Sequence, residues 1–260
     1  MRVIGVVDLL DGRAVHARAG RRDEYAPVEM AAGAAIPAGD PLALARRYVT
    51  HLGVPELYVA DLDAILDPTS GQTPNGGLIA SLASIGVPLW LDAAVWSVAH
   101  AQHALALGAA RVVVGLETLP SCDVLDDICA GVGGDRVAFS LDLRDGRPVR
   151  DERGASRASG PDESAPQLAS RAAVAGAGAV IVIDLARVGM GRGPDFELIT
   201  RIRAAVPDLI LLAGGGVRGP GDLARLAAGG CDGVLVATAL HDGRLGAADV
   251  AAARQLNVTR

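Results

Sequence analysis

A closed (β/α)8 barrel is the fold this sequence predicts, and three observations carry it. Short β-rich runs alternate with helix-period segments along all 260 residues, as in βα units around a parallel sheet. The length suits one domain, since a single barrel of this type takes about 250 residues. The third is an echo within the chain: Val6-Val-Asp-Leu-Leu-Asp-Gly-Arg-Ala-Val15 returns 134 positions later as Ser140-Leu-Asp-Leu-Arg-Asp-Gly-Arg-Pro-Val149. That spacing marks two half-barrels, about 1–132 and 133–260.

The β-rich runs predict strands at 3–8, 56–61, 87–92, 111–116, 136–142, 179–184, 208–213 and 233–237. Helices are expected between and after them, at 41–52, 75–86, 97–108, 122–131, 165–176, 194–205, 220–229 and 246–255. Local punctuation supports these bounds. Asp40-Pro41 reads as an N-cap followed by proline at the first helical position, with Gly53 as the stop. Gly219-Pro220 opens the seventh helix in the same way. Two stretches read as long mobile loops: 16–39, with Arg18, Gly20, Arg21, Arg22 and Tyr25, and 150–164.

Half the residues are hydrophobic but only 3% are aromatic, so the core is to be built from Val, Leu, Ile and Ala. A net charge of −6 and the lack of a basic tract argue against nucleic acid or an anionic membrane as partner. All 24 basic residues are Arg, which excludes Schiff-base catalysis by a lysine side chain. Cys122, Cys129 and Cys231 are too scattered for a disulfide framework and read as thiols of a reducing cytoplasm. No signal peptide and no apolar membrane span is legible.

The strongest local motif is Ala213-Gly-Gly-Gly-Val-Arg-Gly-Pro220, a strand end passing into a helix. Gly214, Gly215 and Gly216 let backbone N–H groups approach an anion, and Arg218 adds charge. Ala237 and Thr238 follow the eighth strand, and barrels of this type commonly hold phosphate between the loops after strands seven and eight. Asp8 and Asp142 end strands one and five, on opposite sides of the mouth, where one acid can remove a proton while the other delivers one. The alternative is that each caps its own βα turn. Asp61, Asp92, Glu117 and Asp184 end other strands and are candidate mouth acids. No histidine clusters with them in sequence, and no metal ligand set is assigned.

Val-Asp-Leu-Leu-Asp-Gly-Arg, Tyr58-Val-Ala-Asp-Leu-Asp63, Ser140-Leu-Asp-Leu-Arg-Asp-Gly, Gly193-Pro-Asp-Phe-Glu-Leu-Ile and Ala-Gly-Gly-Gly-Val-Arg together resemble the histidine-biosynthesis barrels. Those are the phosphoribosylformimino-aminoimidazole carboxamide ribotide isomerase and the cyclase subunit of imidazole glycerol phosphate synthase. The resemblance implies an Amadori rearrangement by the acids at Asp8 and Asp142, a phosphorylated small-molecule substrate and no external cofactor. It implies nothing about oligomeric state. The chain departs from the pattern where a second phosphate would bind. The first-half glycine loop reads Asp92-Ala-Ala-Val-Trp96, Glu117 follows strand four, Ile183 stands where a hydroxyl is expected, and Arg187-Val-Gly-Met190 replaces Arg-Asp-Gly-Thr. The expectation is a divergent isomerase with one phosphate site. The alternatives are the ribotide isomerase itself and a non-catalytic relative that binds a phosphometabolite or a partner protein.

Overall fold

The computed structural model describes residues 1–16, 24–68, 71, 73–149 and 163–256. Eight parallel strands form the barrel: β1 (Arg2–Leu10), β2 (Glu56–Asp61), β3 (Leu89–Asp92), β4 (Arg111–Gly115), β5 (Val137–Arg144), β6 (Ala179–Asp184), β7 (Ile210–Gly214) and β8 (Gly233–Val236). Each pairs with its sequence neighbours, and β8 closes the ring on β1 with Arg2 opposite Gly233 and Gly5 opposite Val236. β1 and β5 therefore lie across the barrel from one another.

Around it run α1 (Pro41–Leu52), α2 (Gly76–Ala83), α3 (Val98–Ala106), α4 (Cys122–Val132), α5 (Ala165–Val174), α6 (Phe196–Ala205), α7 (Pro220–Ala228) and α8 (Ala247–Ala253). Asp40 caps α1 by accepting the N–H groups of Leu42 and Ala43, each at 3.0 Å, and Gly53 ends it at φ 66°. Short helices at Leu62–Leu66 and Thr238–His241 lie in the loops after β2 and β8.

The stretch expected as a loop at 16–39 is partly structured. Arg13–His16 folds back on β1, Ala26–Pro27 extends that ribbon, and Met30–Ala31 pairs with Ala34–Ala35. The periods of these two- to four-residue strands are too short to register as hydrophobic patterns. Arg18, Gly20, Arg21, Arg22 and most of 150–164 lie outside the described residues.

The echoed stretch builds the same hairpin twice. Leu10 pairs with Arg13, and Arg144 with Arg147, at corresponding positions. In each turn an aspartate with positive φ, Asp11 at 49° and Asp145 at 52°, precedes a glycine. These two acids serve the turn, as the Asp-Gly pairing suggests.

Strand alternation divides the core into two layers. Val3, Val7, Leu9, Leu57, Val59, Leu91 and their equivalents face the helices. Ile4, Tyr58, Trp90, Val113, Ala138, Ile181, Leu212 and Leu235 fill the barrel interior. The core is mainly aliphatic as composition predicts, with Tyr48 and Phe139 the buried aromatics of the outer layer and Tyr58 and Trp90 those of the inner one.

Candidate active site

Parity along each strand decides which acids reach the barrel mouth. Asp8 shares the inward face of Ile4, Asp92 that of Trp90, and Asp142 that of Ala138. Asp8, Ala60 and Asp92 stand level across β1, β2 and β3, because Asp8 pairs with Ala60 and Ala60 with Asp92. Across the ring, Asp142 pairs with Ile183 and Ile183 with Gly214. These residues border one cavity of about 470 Å³ at the C-terminal end, with Tyr58, Glu117, Gly215, Gly216, Ala237, Thr238 and Arg244. That is within the size range of small-molecule sites.

Asp61 and Asp184 have the opposite parity and do not line this cavity. Asp61, fully buried, caps the helix Leu62–Leu66 and accepts the Asn75 Nδ2–H at 2.7 Å. Asp184 accepts the N–H groups of Asp145, Gly146 and Ala186 at 3.1–3.3 Å and pairs with Arg187 at 3.2 Å. Both organise neighbouring loops, so of the four candidate mouth acids only Asp92 and Glu117 face the cavity. Arg218 is also absent from its lining. Its Nη2–H and Nε–H donate to Asp222 at 2.7 and 2.9 Å, one helical turn into α7, which draws the guanidinium away from the mouth. Arg144 and Arg244 are cations that do line it.

Burial governs the proton affinity of the acids on the β1–β3 side. Desolvation, followed by the charge of Asp92, raises Asp8 from 3.8 to about 7. Asp92 is likewise pushed to about 7 by burial and by Glu117, against hydrogen bonds from Tyr58 and from the Ala94 N–H that favour its ionised form. The Tyr58 hydroxyl donates to Asp92 Oδ2 at 3.0 Å. Asp142 accepts the Ser140 hydroxyl at 3.2 Å. A carboxyl near 7 facing a cavity suits a general base at neutral pH. The acid whose charge acts on Asp8 is Asp92, a neighbour that the sequence does not pair with it, rather than Asp142. The level alignment of Asp8 and Asp92 was legible only from strand register.

The loop after β7 has the conformation that its glycines suggest. Gly215 and Gly216 hold φ of 96° and 78°, and a Cβ on Gly215 would meet the Asp184 carbonyl oxygen at 2.7 Å. The hydroxyl of Thr238 lies 2.8 Å from His16 Nε2, a partner that no local motif announces. His16 packs edge-on against His241, whose burial holds its ring down to about 4 and therefore neutral.

The corresponding loop after β3 keeps one glycine-like feature without the glycine. Ala94, aligned with Gly216, has φ 52°. A side chain there costs about 1 kcal/mol relative to glycine. Ala94→Gly is expected to stabilise the fold by roughly 0.5–1 kcal/mol, less whatever its buried methyl contributes. Urea unfolding measures this, and a destabilised variant would show that methyl packing outweighs backbone strain.

Among the described residues, no helix is long and apolar enough to cross a membrane. Nor do any three His, Cys, Asp or Glu side chains form a group that could hold a metal ion.

The sequence profile of the histidine biosynthesis protein family matches residues 2–246. The chain is 34% identical over 250 residues to the 1-(5-phosphoribosyl)-5-((5-phosphoribosylamino)methylideneamino)imidazole-4-carboxamide isomerase of Thermus thermophilus, covering 94% of this chain and 96% of that one. The enzyme of the same name from Deinococcus radiodurans is 34% identical over 245 residues, with 94% and 95% covered. That from Thioalkalivibrio sulfidiphilus is 30% identical over 261 residues, with 98% and 99% covered. With its closed barrel and near full-length similarity to these isomerases, the chain belongs to the histidine biosynthesis protein family.

Proposed function

We propose that the chain is an isomerase that converts a phosphorylated aminoaldose to the aminoketose by acid–base catalysis. The observation that carries this is one cavity bordered by Asp8, by Asp142 across the barrel, and by the Gly214–Gly216 loop with Thr238. Asp8, held near 7, removes the C2 proton, and Asp142 delivers a proton to the ring oxygen as the sugar opens. Backbone N–H groups of 214–216 and the Thr238 hydroxyl hold the phosphate. Similarity to the relatives favours the substrate that their names print, the imidazole carboxamide ribotide, over the divergent substrate expected from sequence. Growth of a histidine auxotroph lacking that isomerase tests this substrate, and failure of an expressed, folded chain to restore growth counts against it.

A second reading, a monophosphate substrate, is favoured by the loops after β3 and β4. The carboxylate of Asp92 accepts the Ala94 N–H, and Glu117 adds charge beside it. Two like charges about 4 Å apart repel by roughly 4 kcal/mol at an effective dielectric near 20. On this reading inorganic phosphate binds one site per chain. Gly215→Ala, which forces its methyl on the Asp184 carbonyl, is expected to weaken that binding by about tenfold or more in calorimetry. Two equivalent anion sites would return the assignment to a bisphosphate.

A further inference from the structure

The two ends of the cavity are built for opposite charges. At one end lies the glycine loop after β7, the proposed phosphate seat. At the other, the loop after β3 carries its own carboxyl: Asp92 accepts the N–H of Ala94, the position aligned with Gly216. Tyr58, itself buried, spends its single hydroxyl proton on the same carboxylate at 3.0 Å, fixing it in place. Level with Asp92, across the small Ala60, stands Asp8. Its half-buried side chain lines the cavity and accepts no hydrogen bond among the described residues. Glu117 borders the same end. A group that donates hydrogen bonds suits a cavity end lined by three acids better than one that only accepts.

We propose that this end of the cavity seats a nitrogen group of the substrate, an amine or amidine, which donates hydrogen bonds to Asp92 and Glu117 while the phosphate of the same molecule lies on the Gly214–Gly216 loop. Asp92 and Glu117 are then the specificity-determining residues, and Tyr58 is a positioning residue for Asp92. A cationic nitrogen offsets the Glu117 charge that raises the proton affinity of Asp92, whereas a neutral hydroxyl does so only weakly. A second phosphate meets acceptors and like charge. The proposal rests on the monophosphate reading.

Calorimetry on the whole chain tests both, with inorganic phosphate, glucose 6-phosphate, glucosamine 6-phosphate and fructose 1,6-bisphosphate as probes. Glucosamine 6-phosphate is expected to bind at least about tenfold more tightly than glucose 6-phosphate, which differs from it only in replacing the amine by a hydroxyl. Glu117→Gln and Asp92→Asn, each shown to be folded by circular dichroism, are expected to reduce that ratio to below about threefold and to strengthen bisphosphate binding. Equal binding of the two sugars by the native chain, or an undiminished ratio in both variants, overturns the amine seat. Binding of inorganic phosphate at two equivalent sites, or at none, instead overturns the monophosphate reading on which it rests.

Discussion

Replacing Asp8 by Asn is expected to lower kcat by about 10²–10⁴-fold with a much smaller change in substrate KM, the range for loss of a positioned general base. The shape is unchanged, so binding through the glycine loop persists while the proton acceptor is gone. Because Asp8 acts ionised and is held near 7, the native kcat/KM should rise with pH through about 7. That rising limb should vanish in Asp8→Asn, and Asp142→Asn should lower kcat comparably. Stability moves the other way. With Asp8 raised from 3.8 to about 7 by burial, the folded chain retains a proton that the unfolded chain has lost between those values. The stability contributed by that proton is present below the lower value and is lost as pH rises through the higher one. Asp8→Asn is therefore expected to unfold at a higher temperature than the native chain at pH 8, a difference that shrinks toward pH 4. A pH–rate profile with its rising limb intact in Asp8→Asn would remove Asp8 from the base role, whatever the stability result.

Trp90→Ala is expected to cost about 3–5 kcal/mol, the largest effect on stability of any single change considered for this chain. Trp90 is fully buried at the centre of the inner layer, among Ile4, Val113, Ala138 and Leu212. Its Nε1–H donates to Glu56 at 2.6 Å, and the Arg111 guanidinium lies 4.7 Å from the ring centroid. Glu56 is itself buried and keeps Arg2 as a partner at 3.1 Å. Truncation thus opens a cavity in a close-packed barrel and also removes a donor from a buried carboxylate. Trp90→Phe separates the two, since it fills most of the space while deleting only the hydrogen bond, for about 1–3 kcal/mol. Urea denaturation at neutral pH measures both. A loss below about 1 kcal/mol for the alanine variant would mean that the interior collapses around the gap.

The strands and helices were legible because each carries a period long enough to recognise. The predicted ranges 56–61, 179–184 and 41–52 coincide with β2, β6 and α1, and no other end differs by more than three residues. The ribbon around Arg13–His16 escaped because two- to four-residue strands leave no such period. At the cavity, the positions of Asp8, Asp142 and the Gly214–Gly216 loop are legible from strand ends and glycine spacing. Asp61 and Asp184 end strands just as Asp92 and Asp142 do, but facing the cavity is a matter of parity. Tyr58 and Trp90 carried that signal too, as each lies two residues before an inward position.

Chain order and alternation by themselves determine a ring of eight βα units, which acids end its strands and where its glycine-rich turn lies, because these follow from backbone geometry and local sequence. Tertiary structure alone decided the rest. It set Asp8 level with Asp92, placed His16 on Thr238 across 222 residues, and turned Arg218 onto Asp222 and away from the mouth. Strand register, burial and competition between acceptors for one guanidinium depend on distances between elements remote in sequence, and no local pattern contains those distances.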